Sequence, residues 1–263
     1  MEAANIFGPQ SHTNIGLRSN AGLAQKLFAE AIGAYVIIFA WCGSVAMYKL
    51  QDDESITFGG INMTWGAVVM VMVYSMAQVS GAHFNPAVTL IFTVFRRSPW
   101  KLAPVYIIAQ LIGSILAGVT LALLLDAPFY IIAQLTGSIL ASGTLTLLLD
   151  VTSKSCFGTI PIGSNAQSLA IEIIISFLLM LLFAEFIGHL GGLAIGMTII
   201  LNVFVAGPIS GASMNPARSI GPAIVKQVYK GLWVYIVGPL IGTVAGAFVY
   251  NLIRSTDKTH FFN

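Results

Sequence analysis

The chain has 263 residues, of which 57% are hydrophobic and only 8% charged, and its formal net charge is +2. Soluble domains carry about a quarter of their residues as charges, so this composition excludes an ordinary soluble globule and describes a membrane protein. So small a net charge carries no nucleic-acid signal, and Cys42 with Cys156 implies no disulfide framework.

The first 24 residues are polar and lack the apolar core of a signal peptide, which predicts a disordered cytosolic N-terminus over 1–24. A single membrane domain is expected over 25–254, followed by a short tail at 255–263. Spans are expected at roughly 27–48, 61–80, 104–125, 128–149, 169–187, 191–207 and 232–253, each near the ~20 residues that a bilayer requires. Arg18, Lys26, Arg96, Arg97 and Lys101 put the N-terminus and the loop near residue 97 inside, because cytosolic loops collect positive charge.

Between these spans the triplet Asn-Pro-Ala occurs twice, as Asn85-Pro86-Ala87 and Asn215-Pro216-Ala217. Asparagine suits a helix cap and proline the first helical position, so each triplet should open a helix. The segments at about 85–95 and 215–225 are too short to cross and read as half-spans. Broken helices at membrane depth are tolerated only where protein buries them or water lines them, so a duplicated one marks a permeation path.

Repetition comes in two layers. In the older layer the two triplets stand 130 residues apart, and Val105-Tyr106-Ile107 with Leu111-Ile112-Gly113 returns as Val234-Tyr235-Ile236 with Leu240-Ile241-Gly242. Glu30 and Glu172, each an acid in an apolar span, correspond as well and are expected to hydrogen-bond loop backbone. Halves at about 25–151 and 168–254 then form inverted repeats. In the younger layer residues 104–127 and 128–151 agree at 18 of 24 positions without a gap. The first copy keeps the distance from Asn85 and the second keeps the join to the loop at 152–167, so either is a candidate third helix. If both crossed the bilayer, everything after residue 150 would be inverted and no pore would form. A working pore requires one copy to lie outside the bundle or along the interface.

The stretches Ser80–Thr89 and Gly211–Ser219 resemble the major intrinsic protein family, the aquaporins and glycerol facilitators, and the likeness covers nearly the whole chain. Gly192–Thr198 and Ala206–Gly211 look like the plant nodulin-type branch. The resemblance implies an all-α membrane protein, an aquaporin-like bundle of six transmembrane helices plus two re-entrant half-helices, here with one tandemly duplicated extra helix. It implies homotetramers with one pore per subunit, embedded in lipid and using no cofactor. It also implies an outer filter, whose spacing from Asn85 and Asn215 falls on Trp65, Val203, Ala212 and Arg218. Strict water channels of the family have histidine at the position of Val203, and valine leaves a wider, more apolar wall. The implied function is a passive channel for glycerol and similar small polyols, with water, and for small metalloid acids or ammonia.

Arg218 stays charged at any working pH and offers donors that replace the hydration of a neutral solute while repelling cations. Asn85 and Asn215 should present amide donors where the two half-helix dipoles end. His83 reads as a structural or gating-side residue rather than a ligand, since no second histidine stands at metal spacing. Trp65 alone would read as an interfacial belt residue, and only its offset from Asn85 makes it pore-lining. Asn62-Met63-Thr64 is a glycosylation sequon by pattern at a span boundary. The competing readings are a nonconducting paralogue, motivated by the duplicated helix, and a coupled secondary transporter. The latter lacks an acid or histidine cluster beyond Glu30, Glu172 and Glu185. No phosphate loop, nucleophile elbow or metal-ligand pair suggests an enzyme.

Overall fold

The structure, a computed structural model, describes residues 21–50, 56–125, 158–185 and 190–253. In chain order the described helices are α1 (Leu23–Leu50), α2 (Phe58–Ser80), α3 (Pro86–Val94), α4 (Leu102–Leu125), α5 (Asn165–Glu185), α6 (Gly191–Ser210), α7 (Pro216–Lys226) and α8 (Val234–Ile253). Six of them are long and apolar enough to cross a membrane, and α3 and α7, of 9 and 11 residues, are the half-helices. The chain is an integral multi-pass membrane protein.

Local chemistry sets the ends. Thr57 caps α2 by accepting from the Gly60 amide at 3.1 Å, which starts the helix a few residues before the apolar run begins. Ser164 and Gln167 form a capping box, Gln167 N donating to Ser164 Oγ at 3.2 Å and Ser164 N to Gln167 Oε1 at 3.0 Å. The polar first turn of α5 therefore belongs to the helix. Asn62 is fully buried on α2, a position closed to glycosylation.

The third helix of the bundle is the first tandem copy. Its residues 102–125 form α4, packed between α1 and α7. The second copy at 128–151, the N-terminal 20 residues, Cys156, Gly188, His189 and the tail from Arg254 lie outside the described residues.

Helix pairs repeat across the pseudo-symmetric halves: α1 packs on α4 as α5 packs on α8, and α2 meets α6 between them. The crossings are made of backbone against backbone, where small residues let helices approach. A methyl group on Gly113 would run into the carbonyl oxygen of Ala31, and one on Gly242 into that of Ile173. Ala31 and Ile173 are the residues that follow Glu30 and Glu172, so the two crossings are equivalent. Gly66 and Gly196 face each other's carbonyl oxygens at the α2–α6 contact. Exposed apolar side chains such as Phe28, Ile112, Leu116, Leu201 and Phe248 stand on the outer surface. In hydrocarbon that surface needs no polar cover.

Candidate permeation pore

Two short loops build the site. Gly81 and Gly211 end α2 and α6 in the left-handed conformation, at φ 92° and 79°, each donating its amide back to the helix, to Ala77 O and Gly207 O. The chain then turns through Ala82, Phe84, Ala212 and Met214, all at positive φ near 50°. Non-glycine residues hold such angles only when their surroundings impose them.

The imposing groups are two buried carboxylates. Glu30 Oε1 accepts from Ser80 Oγ at 2.6 Å and His83 N at 3.0 Å, while Oε2 accepts from Phe84 N at 2.7 Å and Gln110 Nε2 at 2.8 Å. Glu172 repeats the pattern, Oε1 accepting from Ser210 Oγ at 2.7 Å and Ser213 N at 2.8 Å, and Oε2 from Met214 N at 2.9 Å. Ser80 and Ser210 also accept from the Ala82 and Ala212 amides, both at 3.1 Å. Tyr106 and Tyr235 donate to the Ser80 and Ser210 carbonyls at 2.8 and 2.7 Å. Each orphaned donor at this depth would cost several kcal/mol, so these acids position the loops.

Asn85 and Asn215 stand where α3 and α7 begin. Their Oδ1 atoms accept from the amides of Ala87 at 2.9 Å and Ala217 at 3.0 Å. Their Nδ2 atoms reach across, Asn85 to Met214 O at 2.8 Å and Asn215 to Phe84 O at 2.9 Å. The half-helices therefore meet N-terminus to N-terminus, as entry from opposite faces requires. An amide nitrogen carries two protons, so each asparagine keeps one for a passing oxygen. Pro86 and Pro216 occupy the first helical positions.

A cavity of about 40 Å³ runs past this seam, walled by Trp65, His83, Asn85, Asn215, Arg218 and apolar residues that include Ile37, Val69 and Phe183. That space is enough to hold water. A larger groove of about 740 Å³ lies elsewhere, on the outer side of α1 and α2 around Phe28, Ile32, Met76 and Val79. Of the four filter residues, Trp65 and Arg218 meet in the cavity wall. Val203 on α6 and Ala212 in the second loop are buried in the same apolar cluster as Trp65, but they are not among the described residues that line the cavity. Arg218, on the first turn of α7, is fully buried and lies face-on to Trp41, its Cζ 2.8 Å from the ring centroid and 5.7 Å from that of Trp65.

His83 is held by Thr89, Nδ1 lying 3.1 Å from Oγ1, and by edge contacts with Phe92 and Tyr106 at 4.9 and 5.3 Å. Gln110 bridges Glu30 and Thr89. Ser114 donates to Ala217 O at 2.6 Å and ties α4 to the second half-helix. Asn202 Nδ2 donates to Ile175 O at 2.9 Å and lies 3.1 Å from Met214 Sδ. Sequence reasoning passed over Trp41, Gln110, Ser114 and Asn202, although a polar side chain inside an apolar span was the signal for the last three.

Residues 18–127 and 122–250 each match the family described as Major intrinsic protein, the two matches meeting at the join of the duplicated helix. The chain is 59% identical over 268 residues to a probable aquaporin NIP-type of Nicotiana alata, covering 98% of this chain and 90% of that one. It is 56% identical over 242 residues to a probable aquaporin NIP4-2 of Arabidopsis thaliana, covering 90% and 77%. In structure it is similar to the aquaglyceroporin from Plasmodium falciparum, with a TM-score of 0.69, 20% identity, and coverage of 88% and 96%. The chain belongs to the major intrinsic protein family, in its nodulin-type branch. It is a passive channel for water and small solutes.

Proposed function

We propose that this channel conducts glycerol and similar small uncharged polyols along with water, and that the path runs past Arg218 and Trp65 and then between Asn85 and Asn215. The observation that carries this reading is the head-on meeting of the two half-helices. Both N-terminal dipoles, about half a positive charge each, point at one seam, where two amide donors hand a permeant oxygen across while cations are repelled. The wall on the opposite side is apolar, formed by Ile37, Val69, Ile195 and Ile199, and suits the carbon edge of a polyol. Val203 adds no polar group at the outer end. The N-terminus faces the cytosol, and four copies assemble with one pore each. Metalloid acids and ammonia are further candidates by size and neutrality.

Stopped-flow light scattering on proteoliposomes tests this. Glycerol and water flux above protein-free vesicles is expected, with no proton leak. Swelling equal to that of empty vesicles would sink the reading and favour a nonconducting paralogue, which the 24-residue duplication motivates.

A further inference from the structure

Three of the helices that line the cavity stop at one level. The outermost lining residues of α1, α2 and α6 are Ile37, Trp65 and Ile199. One turn further out on the same faces stand Trp41, Ile61 and Val203, all buried and none in the wall. The level where the cavity ends is filled by a stack. Arg218 lies 2.8 Å from the Trp41 ring centroid, and the indoles of Trp41 and Trp65 are 4.6 Å apart at an interplanar angle of 43°.

Guanidinium groups stack on indole faces, and the attraction grows when both are out of water. Trp41 is 4% exposed, and its Nε1 donor is buried with no hydrogen-bond partner among the described residues. One indole thus covers a face of the very cation whose donors must meet the permeant, and it carries an open donor beside them.

We infer that Trp41 is the size-limiting residue of this channel: its ring, stacked on Arg218, closes the outer end of the cavity, and a polyol passes only when the indole leaves the guanidinium. Water, needing less width, passes beside it. This inference rests on the conduction path proposed above. Trp41 acts on the permeant through its own ring and N–H as well as by covering Arg218.

The test is the ratio of glycerol to water permeability in proteoliposomes of the full chain, the Trp41→Gly variant and the Trp41→Phe variant. The ratio does not depend on how much folded protein each vesicle holds. Trp41→Gly should raise glycerol flux about thirtyfold, the factor that one desolvated cation–π contact is worth, and water flux by much less. Trp41→Phe, with a smaller ring and no N–H, should fall between. An unchanged or lower ratio in Trp41→Gly would make Trp41 a wall behind the pore and overturn the inference alone. If Trp41→Gly does not insert, Trp41→Leu takes its place with the same expected direction, and an unchanged ratio there overturns it equally. No water or glycerol flux from the full chain or from any inserted variant would overturn both the inference and the proposed path.

Discussion

Asn85 and Asn215 each donate to the main chain of the opposite loop, at 2.8 and 2.9 Å, so one contact made twice closes the seam between the half-helices. Each asparagine also caps its own helix. Alanine at either position removes a cap worth ~1 kcal/mol and a cross-loop bond worth ~1 kcal/mol. Each single variant should therefore lose about 2 kcal/mol, and the double variant less than the sum, because the two contacts share one seam. Thermal unfolding in detergent measures this. Fully additive losses would mean that the loops are held independently.

The carboxylates should matter more. Glu30 receives four donors and Glu172 three. Glutamine offers one acceptor oxygen and sets its own N–H groups against loop donors, so at least two charge-assisted bonds are lost at Glu30 and at least one at Glu172, each worth ~1.5–3 kcal/mol. Glu30→Gln is expected to destabilise by at least about 3 kcal/mol and Glu172→Gln by somewhat less, with water flux falling in both. Unimpaired unfolding temperature and flux in both variants would show that the loops keep their positive-φ turns without the acids.

Much of this was legible in the residues because polar groups inside a membrane have few reasons to exist. The Asn-Pro-Ala triplets, Glu30 and Glu172 announced themselves in that way, and the glycines at 113 and 242 sat in a visible repeat. Spans read from hydropathy began late at α2 and α5, because Thr57 and Ser164 cap polar or glycine-bearing first turns that hydropathy discounts. Trp41 was not legible. An indole in an apolar helix packs against anything, and its meeting with Arg218 depends on α1 and α7 coming together from opposite ends of the chain. The duplicated helix left two candidates, and the choice of the first copy came only from its seat against α1 and α7.

The glycine crossings predict unequal costs for equal substitutions. Gly113→Ala and Gly242→Ala push a methyl into the fixed carbonyls of Ala31 and Ile173, and overpacking of this kind costs ~1–3 kcal/mol. Gly43→Ala instead meets only the end of the Leu121 side chain at 3.4 Å. That change should be neutral or slightly stabilising, since alanine favours helix over glycine by ~1 kcal/mol. Unfolding temperatures of the three variants check this order. A stable Gly113→Ala protein would show that α1 and α4 move apart freely.

The tandem copies carry the same anchors. Tyr106, Gln110, Gly113 and Ser114 hold α4 to Ser80, Glu30, Ala31 and Ala217, and 24 residues later stand Tyr130, Gln134, Gly137 and Ser138. Removing 104–127 or 128–151 leaves chains of equal length that differ at six positions. Both should insert, conduct and show the same glycerol-to-water ratio. They should differ in stability, because the second copy has Ser142 where the first has Gly118. A Cβ at Gly118 would stand 3.1 Å from Val225 Cγ2 on α7, tighter than ordinary contact, so the chain lacking 104–127 should unfold first, by about 1 kcal/mol. Flux from the chain lacking 128–151 and none from the other would mean that the six differing residues, and not the shared anchors, decide which helix the pore accepts.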